Sequence, residues 1–160
     1  MMASVGRALS GVRDEARRES LLSTVDESGY ILVVDDDESI CDLIEEILTD
    51  EGYEVTAARD AGRALRMIEQ RPPVLILLDL SVADQSAEEL VAAIRRIPGQ
   101  MASIIVVSAH ANVERRAEEV GADAFLPKPF DIPILLDTVQ AIFSVRARGG
   151  QADSGDPRAR

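Results

Sequence analysis

The sequence predicts an α/β fold in which a parallel sheet of five strands is covered by helices on both faces. Short apolar runs alternate with longer segments of helical periodicity, and several of these runs are apolar without interruption. Continuous apolar runs are typical of strands buried on both faces. Since a parallel crossover must traverse one face of the sheet, the helical segments account for the connections. The length of 160 residues suits one ordinary domain with extensions.

The first two βα units contain both kinds of strand. Residues 31–34 are a continuous apolar run, whereas residues 53–57 alternate apolar and polar side chains, which favours a half-exposed strand at a sheet edge. Apolar residues at helical spacing predict helices over residues 40–48 and 60–70, and a glycine or a proline pair follows each of them.

The remaining three units repeat this pattern. Buried strands are predicted at residues 74–78, 104–107 and 124–126. Helices are predicted at residues 87–97, 113–120 and 132–144. No uninterrupted apolar run is longer than the five residues at 74–78, which is far fewer than the ~20 that span a bilayer.

Composition divides the chain into three parts. Residues 1–29 are polar and of mixed charge, which predicts either a mobile extension or a short helix around residues 12–22. The predicted domain covers residues 30–145, and the glycine- and arginine-rich tail at 146–160 is predicted to be disordered.

Charge and cysteine usage exclude several classes of protein. The net charge is −12, which disfavours nucleic acid and membrane surfaces as partners. The chain has one cysteine, Cys41, so it can form neither an internal disulfide nor a thiolate metal cage. A reducing, cytoplasmic location is therefore expected.

Acidic and polar side chains follow the predicted strands. The acidic triplet 35–37 follows the first strand and Asp79 the third, while Ser108 and Lys128 follow the fourth and fifth. Ligands of open parallel sheets bind beyond the carboxyl ends of the strands. Neighbouring carboxylates raise one another's pKa, and a hard cation such as Mg²⁺ relieves that repulsion. Lys128 would pair with an anion, and the set as a whole suits phosphoryl transfer to an aspartate.

A simpler interpretation exists for parts of this set. The acidic triplet and Glu38 could only cap a helix and complement its dipole. Asp79 is harder to explain in this way, because it ends an apolar run where a free carboxylate is costly. Lys128 is the single lysine beside sixteen arginines, which indicates either a need for a compact ammonium or a compositional bias.

Four segments of the chain together resemble a known family. ILVVDDDESI, VLILLDLS, IIVVSA and FLPKPFD are similar to the motifs of the receiver domain of bacterial two-component response regulators, in the same order and spacing. The resemblance covers residues 30–145. It implies a doubly wound, flavodoxin-like (βα)5 sheet of strand order 2-1-3-4-5 and a signalling protein. Since about 15 residues follow the last predicted helix, we expect the stand-alone type without an attached effector domain.

The resemblance also implies a metal site and a phospho-acceptor. Asp79 would accept a phosphoryl group from a histidine kinase or a histidine phosphotransfer protein. Asp35 and Asp36 would form the acidic pair at a Mg²⁺ site, which Mn²⁺ could also fill, with Asp36 as the direct ligand. Asp79 itself and the backbone carbonyl of Ser81 would complete the protein's share of the coordination.

Further residues are implied to respond to the phosphoryl group. Ser108 would donate a hydrogen bond to it, Lys128 would pair with it, and the bond before Pro129 would be cis. Phe125 would turn into the space that Ser108 vacates, which reshapes the face formed by helix 4, strand 5 and helix 5 for a downstream protein. Such a protein would be an acceptor with slow autodephosphorylation and not an enzyme with a separate substrate.

One loop departs from the family pattern. The family carries proline and glycine after the acceptor, whereas the loop at residues 81–87 has neither, and Ser86 with Glu89 forms a capping box instead. An interaction module that works without phosphorylation is therefore an alternative. A Mg²⁺-dependent phosphatase is a third, but Ser81 stands where a second acid would protonate the leaving group.

Overall fold

The computed structural model describes residues 29–82 and 86–151. Its strands are β1 (Ile31–Val34), β2 (Val55–Ala58), β3 (Leu75–Asp79), β4 (Ser103–Ser108) and β5 (Ala124–Pro127). Its helices are α1 (Glu38–Asp50), α2 (Ala61–Gln70), α3 (Ala87–Arg96), α4 (Val113–Val120) and α5 (Ile132–Gln151). The predicted alternation of strands and helices is confirmed, with most element ends within two residues of the prediction.

The strands form one parallel sheet in the order β2-β1-β3-β4-β5. This is the doubly wound order that the family resemblance implies. The half-polar strand β2 lies at one edge, as its alternation predicts, and β3 lies in the centre with all five residues buried. The order therefore brings the carboxyl ends of β1, β3 and β4 side by side.

Two apolar layers hold the helices against the sheet. Helices α2, α3 and α4 pack on one face through buried residues such as Ile68, Leu90 and Ala117. Helices α1 and α5 pack on the other face through residues such as Ile44 and Leu135. Strands β1, β3 and β4 contribute alternate side chains to the two layers, which is the reason their apolar runs are uninterrupted.

Short polar residues begin the helices at the functional end of the sheet. Asp37 caps α1, and its carboxylate accepts hydrogen bonds from the N–H groups of Ser39 and Ile40. Ser86 caps α3 by accepting from the N–H of Glu89, as the capping sequence predicts. At the other end of the fold, Gly121 closes α4 with a φ of 72°, a left-handed conformation that glycine adopts without strain.

The last helix is longer than the sequence predicts. We expect a disordered tail from Arg146, but α5 continues to Gln151, so this expectation is wrong for residues 146–151. The guanidinium of Arg146 donates to the carbonyl of Met101 at 2.8 Å and to Ser103 Oγ at 3.3 Å, which fixes this part of the helix to the start of β4. Extending an anchored helix also needs no new nucleation. Residues 1–28 and 152–160, which carry the other terminal predictions, lie outside the described residues.

Among the described residues, no helix is both long enough and apolar enough to cross a membrane.

The central strand makes the fold sensitive to small cavities. Leu77 in β3 is 1% exposed, whereas Leu43 on α1 is 42% exposed. We expect Leu77→Ala to lower the free energy of unfolding by about 3 kcal/mol, and Leu43→Ala by less than about 1 kcal/mol, because only the first leaves a buried cavity. Urea denaturation of both variants measures the difference. Equal losses would contradict the placement of β3 in the core.

Candidate functional site

The predicted site residues meet at the carboxyl edge of the sheet. Asp35 follows β1, while Asp79 and Ser108 are the last residues of β3 and β4. All three are buried, and Lys128 follows β5 directly. The side chains that sequence analysis derived from four separate segments therefore lie in one place.

Lys128 joins two of the carboxylates. Its Nζ donates to Asp35 Oδ2 at 2.6 Å and to Asp79 Oδ2 at 3.0 Å, and its side chain is only 16% exposed. The backbone N–H of Lys128 donates to the carbonyl of Ser108 at 2.8 Å, which holds the lysine at the end of β4. The bond between Lys128 and Pro129 is cis, in agreement with the resemblance.

The other oxygen of each buried carboxylate is held by a tight turn. Asp35 Oδ1 accepts from the N–H of Asp37 at 2.9 Å. Asp79 Oδ1 accepts from both the N–H of Ser81 at 2.9 Å and the hydroxyl of Ser81 at 2.8 Å. Every oxygen of these two side chains therefore has a donor, which offsets much of the cost of burying them.

These contacts separate the protonation behaviour of the three groups. Burial acts to raise the pKa of Asp79, but the hydrogen bonds from Ser81 and Lys128 outweigh it and leave this pKa below its ordinary value. Burial dominates at Asp35 and raises its pKa despite the bond from Lys128. Burial acts to lower the pKa of Lys128, but the bonds to Asp35 and Asp79 outweigh it and raise this pKa. Asp79 is thus ionised and Lys128 protonated at neutral pH.

The carboxylates fit a hard divalent cation. Oxygen atoms of Asp35, Asp36 and Asp79 all lie within 4.8 Å of one another. The carboxylate of Asp36 is exposed, and within the described part of the chain it makes no hydrogen bond or ion pair. Mg²⁺ takes oxygen ligands and retains several waters, so a small open set of carboxylates at a solvent edge suits it. The backbone carbonyl of Ser81, the other predicted ligand, lies in the turn that follows Asp79. Its role as a ligand stays a prediction.

The two predicted switch residues lie on the neighbouring strands β4 and β5. The hydroxyl of Ser108 accepts a hydrogen bond from the N–H of His110 at 3.2 Å. Phe125 on the edge strand β5 is 38% exposed, so its ring is available to solvent. His110 itself is exposed and takes part through its backbone only.

Several contacts were not anticipated from the sequence. The hydroxyl of Ser81 contacts Asp79, although only its carbonyl was assigned a role. The spacing D-x-S is typical of a turn in which the aspartate side chain accepts hydrogen bonds from the residue two positions later, and this pattern could have predicted the contact. Arg59, after β2, forms an ion pair with Glu38 at the start of α1, and no local pattern predicts that long-range pair.

Cys41 makes a polar contact with the turn that carries the acidic pair. It is buried, and its Sγ donates to the backbone carbonyl of Asp35 at 3.3 Å. Burial, reinforced by the charge of Asp35, raises the pKa of the thiol to about 11. The side chain thus links α1 to the turn that carries the acidic pair.

Comparison with known proteins gives one consistent family. Residues 31–140 match the response regulator receiver domain family. The chain is 37% identical over 116 residues to Protein PetR of Rhodobacter capsulatus, covering 71% of this chain and 48% of PetR. It is 37% identical over 113 residues to an uncharacterized 14.6 kDa protein of Leptolyngbya boryana, covering 69% of this chain and 86% of that protein.

Solved structures agree with this result. A CheY-like response regulator receiver domain protein from Methanospirillum hungatei has a TM-score of 0.68 and 33% identity, with 77% of this chain and 99% of that one covered.

The chain spans about half the length of PetR and of the transcriptional regulatory protein PrrA of Mycobacterium tuberculosis (54%). The shared part is therefore the domain described above.

The bridge formed by Lys128 gives a test of how the site is stabilised. We expect Lys128→Met to lower the free energy of unfolding by about 2 kcal/mol in the presence of a chelator, because two buried carboxylates lose their counterion. Saturating Mg²⁺ should recover part of the loss, because it replaces the missing positive charge and so binds the folded variant more tightly than the folded wild type. Urea denaturation with and without metal measures both effects. Arg66→Met, on the exposed face of α2, is the control; an equal loss there would contradict the assignment.

Proposed function

The chain belongs to the response regulator receiver domain family, and on that premise we propose that Asp79 accepts a phosphoryl group from a phosphohistidine. The donor would be a histidine kinase or a histidine phosphotransfer protein. The observation that carries the proposal is the convergence of Asp79, Lys128 and the acidic pair Asp35 and Asp36 at one edge of the sheet. An ionised carboxylate beside a fixed ammonium is the arrangement that such a transfer requires.

The transfer uses Asp79 as the nucleophile. One of its carboxylate oxygens attacks phosphorus and forms the O–P bond, while the P–N bond to the donor's imidazole breaks. The imidazole nitrogen takes the electron pair of that bond and then a proton from solvent. The lowered pKa of Asp79 supports this role, because it keeps the nucleophile ionised at neutral pH.

The other residues stabilise the charge of the phosphoryl group. Lys128 exchanges a carboxylate contact for a phosphoryl oxygen, and Ser108 donates its hydroxyl to another. Asp35, Asp36, Asp79 and the backbone carbonyl of Ser81 would hold Mg²⁺, which supplies Lewis acidity and neutralises charge when it is bound. Mn²⁺ can take the same oxygen ligands.

The proposed output passes through a protein surface. Movement of Ser108 toward the phosphoryl group vacates space next to β5, and Phe125 turns into it. The exposure of Phe125 in the structure supports this proposal, because an exposed ring has a burial transition available. The face of α4, β5 and α5 would then bind a downstream partner, or the phosphoryl group would pass on to another histidine.

We further propose that the domain turns over no separate substrate and loses its phosphoryl group slowly by hydrolysis. A cytoplasmic location stays a prediction from the composition, as does the absence of nucleic acid and membrane partners.

Asp79→Ala tests the acceptor directly. Incubation of the wild-type protein with Mg²⁺ and acetyl phosphate should add one phosphoryl group, detected as an increase in intact mass. The Asp79→Ala variant should stay unmodified, because it lacks the nucleophilic oxygen. Unmodified wild-type protein at saturating Mg²⁺ would favour an interaction module, and continuous donor turnover would favour a phosphatase.

Lys128→Arg tests whether a compact charge is required. The guanidinium retains the charge but is larger and planar, so it cannot occupy the same point between Asp35 and Asp79. We expect phosphorylation by acetyl phosphate to slow by about tenfold, the scale on which misplaced charge stabilisation acts. The rate of mass increase measures this effect, and a thermal melt checks that the variant is folded. A rate equal to that of the wild type would show that the single lysine has no special role.

A further inference from the structure

Arg59 lies at the same edge of the sheet as the acidic cluster. It follows β2 directly, and β2 pairs with β1 in a register that sets Ala58 beside Val34. The N–H of Asp35 donates to the carbonyl of Ala58 at 3.1 Å, so the two strand ends are tied together where the acidic turn begins. The guanidinium of Arg59 contacts the carboxylate of Glu38 at the start of α1.

This edge carries a strong excess of negative charge. Among the described residues that end a strand, follow it or begin the next helix at this edge, the acidic ones are Asp35, Asp36, Asp37, Glu38, Asp60, Asp79 and Asp131. The formally cationic ones in the same set are Lys128 and Arg59. The side chain of Lys128 lies between two carboxylates and is 16% exposed, whereas the side chain of Arg59 is 55% exposed. An incoming phosphoryl group is an anion, so the carboxylates of this edge repel it and the guanidinium of Arg59 attracts it.

The partner of Arg59 holds it only weakly. The pair with Glu38 is exposed on both sides, at 55% and 62%, and exposed pairs of this kind contribute little to stability. A guanidinium also presents parallel N–H donors that match two oxygens of a phosphoryl group. Exchange of Glu38 for a phosphoryl oxygen therefore costs little and gains two charge-assisted hydrogen bonds.

We propose that Arg59 is an anion-binding residue that receives the phosphoryl group of the donor at the rim of the site, before transfer to Asp79. The inference rests on the proposed function and adds a residue that determines which donors react well. It favours donors of higher net negative charge over donors of lower net negative charge.

The rate of phosphorylation tests the inference against a matched control. Arg59→Gln and Arg66→Gln remove the same charge. Arg59 precedes α2, whereas Arg66 lies about a turn and a half into this helix, on its exposed face. With acetyl phosphate below saturation and Mg²⁺ in excess, we expect Arg59→Gln to slow the initial increase in intact mass by about threefold, and Arg66→Gln to leave it unchanged. Phosphoramidate, which carries less negative charge, should show a smaller effect.

Magnesium affinity separates anion binding from a structural role. Removal of a nearby positive charge should leave Mg²⁺ binding to the Arg59→Gln variant as tight as in the wild type, or tighter, as measured by calorimetry. A variant whose loop had merely lost its position would bind Mg²⁺ more weakly and would also be phosphorylated more slowly.

Each outcome decides the inference. Slower phosphorylation with undiminished Mg²⁺ affinity, specific to position 59 and larger for acetyl phosphate, supports it. An unchanged rate for Arg59→Gln, an equal loss for Arg66→Gln, or a joint loss of rate and Mg²⁺ affinity overturns it while the proposed function stands. Wild-type protein that takes up no phosphoryl group would overturn both.

Discussion

The ammonium of Lys128 between Asp35 and Asp79 is the contact on which the site depends. Asp35 and Asp79 are 2% and 5% exposed, and two such carboxylates could not stay ionised side by side without a cation. Lys128 supplies that cation from the end of β5. The same contact ties the ends of three strands together. Charge balance and the alignment of the sheet are therefore a single constraint at this edge.

The strand order makes that constraint possible. Asp35 and Lys128 are 93 residues apart in sequence. The strand order β1-β3-β4-β5 brings their side chains within hydrogen-bonding distance. The apolar layers on both faces fix the strand register and leave the polar groups at the ends. Chemistry is thus confined to the edge, while stability comes from the two faces.

The sequence predicts the strands well because burial on both faces leaves an unmistakable apolar pattern, as in the run that ends at Asp79. The sequence also predicts that the functional side chains lie at the carboxyl edge of the sheet, because whether a residue directly follows a strand can be read from the local sequence. It could not predict the hydroxyl of Ser81 on Asp79, which depends on the path of one turn, or the pair of Arg59 with Glu38, which joins distant segments. The helical extension of α5 past residue 145 was missed because the contacts that fix it, from Arg146 to Met101 and Ser103, join distant segments.

The buried thiol of Cys41 offers a reporter that this fold carries within itself. Alkylating reagents react with thiolate, and a thiol whose pKa burial raises to about 11 is almost wholly protonated at neutral pH. Labelling in the native protein must therefore await separation of α1 from the turn at Asp35, whose carbonyl accepts from the sulfur. Because the chain has a single cysteine, the labelling kinetics would follow the opening of this corner without any engineered probe.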